Sequence, residues 1–143
     1  MTKIGKFLSL PASDKKLLMQ ALFLLLFVKT GLHTVPFRTF DSFLNRLSSH
    51  KVKQAAPKDR ILWSVNTAKR YLPFATCLVT ALTCHFLLQR HRHNSSLKIG
   101  VRKNGDNILE AHAWIESEGR IVTGNIAGIE NFIPLPSLGR KIP

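Results

Sequence analysis

Apolar residues recur at helical spacing through the first ninety positions, and beyond Asn94 the pattern changes to the alternation of strands. Ser13 can cap a helix from about Asp14 to Thr30, with Gly31 at its C-terminal end. Pro36 opens a second helix, in which Phe40, Phe43, Leu44 and Leu47 share one face. Residues 48–57 are polar and basic and read as a connector. A third helix is expected from about Lys58 to Tyr71, with Ile61, Leu62, Val65 and Ala68 as its stripe and Pro73 as its end. Thr76 then caps a fourth helix, Cys77 to about Arg90, that is hydrophobic on most sides. It should be the buried central helix.

The strand region opens with Leu97-Lys98-Ile99-Gly100-Val101. A turn at residues 104–107 leads to a second strand from Ile108 to Glu116. Glu118-Gly119 is a tight turn before a third strand, Arg120 to Asn125, and the tail with Pro134, Pro136, Gly139 and Pro143 reads as irregular. Helices followed by a small antiparallel sheet predict an α+β fold in which the Cys-bearing helix packs on the sheet.

Two residues stand out for their chemistry. Cys77 opens the central helix, where a thiolate is favoured, and His112 lies on the second strand. A thiol at a helix start and an imidazole on a strand are the nucleophile and the base of a cysteine hydrolase. If Glu118-Gly119 is a two-residue loop, Ser117 faces Arg120, Glu116 faces Ile121 and His112 faces Asn125, with directly opposed Cβ atoms about 4.5–5.5 Å apart. The Asn125 amide could then orient the imidazole, whereas a one-residue change puts Gly124 or Ile126 there. His112, Trp114 and Glu116 share one face, and Ala111, Ala113 and Ile115 the other. The small alanines suit packing on the central helix, which would turn His112 away from Cys77; the alternative puts that helix on the His112 face.

At 143 residues, with 45% hydrophobic and 20% charged residues, the chain has the size and balance of one globular domain. Cys77 and Cys84 are about two helical turns apart, roughly 10 Å, beyond disulfide reach, so they read as free thiols of a reducing compartment. The remaining histidines offer no metal-ligand spacing: His85 reads as helix surface, and His91 and His93 as solvated residues at a helix end. The net charge of +13 is uneven. Through Asn94 there are 15 Lys and Arg against three Asp, and beyond it six against five acids. A basic N-terminal part points to an acidic peptide, a protein partner or an anionic lipid surface. Nucleic-acid signatures are missing from the sequence. The apolar stretch from Leu17 to Val28 has 12 residues and includes Gln20. A bilayer span needs about 20, so a buried or partly interfacial helix is expected.

Cys77-Leu78 opening a helix that closes in Leu87-Leu88-Gln89-Arg90, then Ile99-Gly100-Val101-Arg102, then Ala111-His112-Ala113-Trp114-Ile115-Glu116, resembles the transglutaminase-like leader peptidases of lasso-peptide biosynthesis. Leu10-Pro11 before a Leu-rich helix and Gly31-Leu32 before Pro36-Phe37 are similar to the same family. The likeness covers about residues 7–125. It implies a single transglutaminase-like domain over 1–143, with a helical part at 1–72 and a catalytic core at 73–143. It also implies a papain-like cysteine peptidase that needs no cofactor and cuts the leader from a ribosomal precursor peptide.

On that resemblance the nucleophile is Cys77 and the base is His112. The family's third member is usually Asp, but this chain reads Val122-Thr123-Gly124-Asn125, which favours Cys-His-Asn with Asn125. The implied partners are the precursor peptide, a separate leader-recognition protein and a lasso cyclase, in the cytoplasm; peripheral membrane contact is expected separately, from the apolar and basic first helix. Two other functions fit the same residues: an acyltransferase or amidase of this fold, and a non-catalytic basic module that binds membrane or peptide.

Overall fold

The computed structural model describes Ser9 and residues 11–72, 75–126 and 128–134. Pro73, Pro136, Gly139 and Pro143 lie outside the described residues. Helix α1 is Ala12–Thr34, α2 is Phe37–Ser48, α3 is Lys58–Lys69 and α4 is Cys77–Arg90. Strands β1 (Ser96–Lys103), β2 (Leu109–Ser117), β3 (Arg120–Thr123) and β4 (Ile133–Pro134) form one antiparallel sheet in the order β3-β2-β1-β4. The fold is α+β, as the change of periodicity at Asn94 predicts.

Helix α4 organises the rest. Its ten residues from Val79 to Leu88 are all buried, with α1, α2 and α3 on one side and β1 and β2 on the other. Burying one Val, Leu or Phe side chain gives about 1.5–3 kcal/mol, so this one helix is the largest local source of stability. Thr76 starts it as expected: its Oγ1 accepts the Val79 N–H at 3.3 Å.

Several local expectations are corrected. Helix α1 starts at Ala12 after Pro11, with no side-chain cap at Ser13, and runs through Gly31 to Thr34. It stops where Pro36 forces Val35 into an extended conformation. Gly31 has a different purpose: a Cβ there would lie 2.2 Å from the Phe40 ring, so only glycine lets α2 approach this closely. The three histidines near the end of α4 are not surface residues as a group. His85 is buried, with Nδ1 2.7 Å from Ser95 Oγ. His91 is buried and its Nδ1 accepts the Ala56 N–H at 2.9 Å, while His93 Nε2 meets the Ala56 carbonyl at 2.7 Å. The connector folds back over the helix end, and periodicity along the chain carries no sign of that.

Strand β3 ends at Thr123, and the tail supplies a short 3-10 turn (Ile129–Asn131) and β4, which pairs with β1 through Gly100↔Pro134 and Val101↔Ile133. The β2–β3 hairpin starts in the expected register, Ser117↔Arg120 and Glu116↔Ile121. A bulge then shifts it, so that Ile115 pairs with Thr123.

Candidate active site

That bulge decides what reaches His112. With the register advanced by one residue, the imidazole Nε2 lies 2.5 Å from the carbonyl oxygen of Gly124, and the expected pairing of His112 with Asn125 does not form. Asn125 is exposed and follows directly. A carbonyl oxygen can only accept, so Nε2 carries the hydrogen and, in the neutral ring, Nδ1 is the basic nitrogen.

Gly124 has a φ of +87°, and a Cβ there would lie 2.7 Å from the Ala113 carbonyl oxygen and 2.9 Å from Trp114 Cβ. Both the backbone conformation and the space therefore demand glycine.

Aromatic rings hold the imidazole from the sides. The Trp114 ring is nearly parallel to it at 20°, with centroids 6.1 Å apart, and Phe132 lies at 5.7 Å. Trp114 crosses Gly100, where an added Cβ would be 2.9 Å from the indole, and its Nε1 donates to Glu116 at 2.9 Å. Arg102 covers the outer side of Phe132 at 4.5 Å and bonds Glu110 at 3.0 Å. Hydrogen bonds from Asn104 and then Arg102 hold the Glu110 carboxyl below its ordinary range. Sequence reasoning missed the roles of Gly124, Gly100 and Phe132. The two glycines are visible as residues, but their purpose depends on the bulge and on where Trp114 falls.

Cys77 is the first residue of α4 and is exposed, at the end where backbone N–H groups lack helical partners. Cys84, two turns on, is fully buried. Burial pushes its thiol up to about 11, opposed by a hydrogen bond with Thr123 at 3.6 Å. Such a thiol is inert at neutral pH.

Two side-chain contacts fix how helix and sheet align. Ser117 Oγ donates to the Asn94 carbonyl just past the C-terminal end of α4, and Cys84 meets Thr123, which pairs with Ile115. From Cys84 back to Cys77 is about 10 Å along the helix. From Ile115 back to His112 is about 10 Å along the strand, in the same sense. Cys77 and His112 therefore belong to the same end of the helix–sheet layer.

They do not share a face. Ala113 and Ile115 join the core with α4, which turns His112 to the opposite side of β2 together with Trp114. The structure brings His112 to Gly124 and does not bring Cys77 into hydrogen-bond contact with it. Of the two arrangements open from sequence, the alanine face is the one on the helix. Among the described residues no three His, Cys, Asp or Glu side chains gather as a metal site.

Residues 22–137, most of the chain, match the family model described as the transglutaminase-like superfamily. Neither a curated protein nor a solved structure matches the chain.

Proposed function

The chain belongs to the transglutaminase-like superfamily, whose fold is typically that of cysteine-based enzymes, and from that premise we propose a cysteine peptidase that removes the leader from a ribosomally made lasso-peptide precursor. The observation that carries the reading is Cys77, an exposed thiol opening a hydroxyl-capped helix that is buried from Val79 to Leu88. It lies at the end of the layer where His112 has Nε2 engaged and Nδ1 open for a proton. The motifs around both residues support the choice of lasso-peptide precursor as substrate.

In the proposed reaction Cys77 Sγ bonds to the scissile carbonyl carbon while its proton passes to His112 Nδ1. Collapse of the tetrahedral intermediate breaks the C–N bond, and the leaving amine takes that proton. Water, deprotonated by Nδ1, then cleaves the thioester, releasing the leader carboxylate and restoring the thiol. The Cys77 backbone N–H faces the developing oxyanion. The reaction needs His112 to turn from its place on the far face of β2 toward the Cys77 end of α4 when substrate binds. Gly124 orients the ring through its carbonyl, the role expected of Asn125. A leader-recognition protein presents the substrate and a lasso cyclase takes the freed core, both in the cytoplasm. With an amine in place of water, the same acyl-enzyme would transfer rather than hydrolyse.

The test is mass spectrometry of precursor peptide incubated with the chain and the recognition protein. Wild type should release leader and core, Cys77→Ala and His112→Ala should release neither, and Cys84→Ala should keep most activity. Equal loss in folded Cys77→Ala and Cys84→Ala would overturn the assignment. A leader product carrying an amine would move the reading to acyl transfer.

A further inference from the structure

Helix α1 has two apolar faces, and the fold uses one. Leu17, Leu18, Ala21, Leu25 and Val28 are buried, and α1 packs chiefly on α3 and α4. On the other side Met19, Phe23, Leu26 and Phe27 follow one another at helical spacing and stay exposed, Phe23 at 74% and Met19 at 54%. Helix α2 extends the strip, because exposed Phe43 stands 6.2 Å from the Phe27 ring. Gln20, half-buried, borders the α1 run beside Phe23 and Phe27.

Charge says what covers it. Lys15 and Lys16 fall on the same face one turn before Met19, and Arg46 lies one turn beyond Phe43. Between Pro11 and Pro57 the only carboxylates are Asp14 and Asp41. Asp14 is held by the Arg60 guanidinium through two hydrogen bonds, and Asp41 is 2% exposed. The strip is thus framed by cations, and neither carboxylate of α1 and α2 is free beside it, in the part of the chain that carries nearly all of the net charge.

We propose that this face of α1 and α2 docks on an anionic lipid bilayer, the Phe and Leu side chains entering the acyl boundary and the lysines meeting the headgroups. A convex ridge with few hydrogen-bonding groups suits a fluid apolar medium better than a shaped protein partner. Helix α1 is long and apolar enough to cross a bilayer. Its other face is committed to α3 and α4, so here it lies on the surface instead. This inference is independent of the peptidase reading and needs no substrate to test.

The experiment is flotation of the full chain with phosphatidylcholine vesicles, with and without roughly 30% phosphatidylglycerol. Binding to the anionic vesicles is expected to be at least about tenfold stronger than to the neutral ones, and to fall as salt is raised to about 0.5 M. Phe23→Glu should weaken it by about tenfold or more, and Lys15→Gln with Lys16→Gln should weaken it on anionic vesicles alone. Phe23 is a surface residue, and Leu26→Ser serves as the second variant, each matched to wild type by circular dichroism and melting. Absence of binding to anionic vesicles would overturn the proposal, as would equal binding by both apolar variants. Self-association lost in Phe23→Glu without vesicle binding would assign the strip to a second copy, and a recognition protein that binds there without lipid would assign it to that partner.

Discussion

A carbonyl oxygen has no proton to give, so the contact of His112 with Gly124 dictates the tautomer of the ring. An acid or amide in that place would bring rotamers of its own, whereas a carbonyl inherits its position from the β2–β3 bulge. Gly124→Ala tests this. The φ of +87° and the 2.7 Å approach to Ala113 should cost about 1–3 kcal/mol of stability and, in the protein that remains folded, about tenfold or more in kcat. Asn125→Ala, at an exposed position, should lower turnover less than Gly124→Ala. Normal turnover in folded Gly124→Ala beside a slow Asn125→Ala would return the orienting role to the amide. Cys84 supplies a second residue-scale test. Its thiol ionises near 11 in the fold against 9.0 as the reference value, so the folded state holds the proton more tightly. Stability from this residue is intact below pH 9 and is lost between pH 9 and 11, by roughly 2–3 kcal/mol. The stability difference between wild type and Cys84→Ala, read from urea midpoints, should shrink across that window.

Among the elements, the connector between α2 and α3 depends most on one titrating side chain. Beyond the two histidine contacts to Ala56, it is tied to the end of α4 by Val52 N–H to the Arg90 carbonyl at 3.1 Å and by Lys51 Nζ to the Gln89 carbonyl at 2.7 Å. Burial, then the charges of His93, Arg90 and Lys16, pushes the His91 imidazole below its ordinary value. Protonation would also turn the Nδ1 acceptor for Ala56 into a donor. The stability it gives is therefore present above its unfolded value near 6.5 and lost as pH falls through that value toward the folded one. Melting temperature should drop between pH 7.5 and 5, and His91→Gln, which can accept but does not titrate there, should flatten the drop. The helices themselves were legible, because α1, α2 and α3 each bury a 3.6-residue stripe and α4 is apolar on most sides behind a Thr cap. Strands β1 and β2 were legible by alternation. The connector contacts, the bulge and β4 were not, since they arise where distant segments meet: His91 with Ala56, Gly124 with Ala113, Pro134 with Gly100.

At the scale of the whole molecule, α4 decides whether the helical part and the sheet behave as one body. Its buried run from Val79 to Leu88 is shared by α1, α2 and α3 on one side and by β1 and β2 on the other, so neither layer keeps a covered core without it. Cys77 and Cys84 lie on this same helix, which makes candidate nucleophile and packing two ends of one element. The layers should therefore unfold together. Cys84, fully buried between helix and sheet, reports on that directly, because its thiol is reached only when α4 leaves β3. In a urea titration, helical circular dichroism and labelling of Cys84 in the Cys77→Ser variant should trace the same midpoint. Truncation of Leu88, buried to 0% exposure, to Ala should move both curves together by about 2–5 kcal/mol. Labelling that precedes the loss of helical signal would mean that the sheet detaches first, and would divide the chain into two units at the α4–β2 interface.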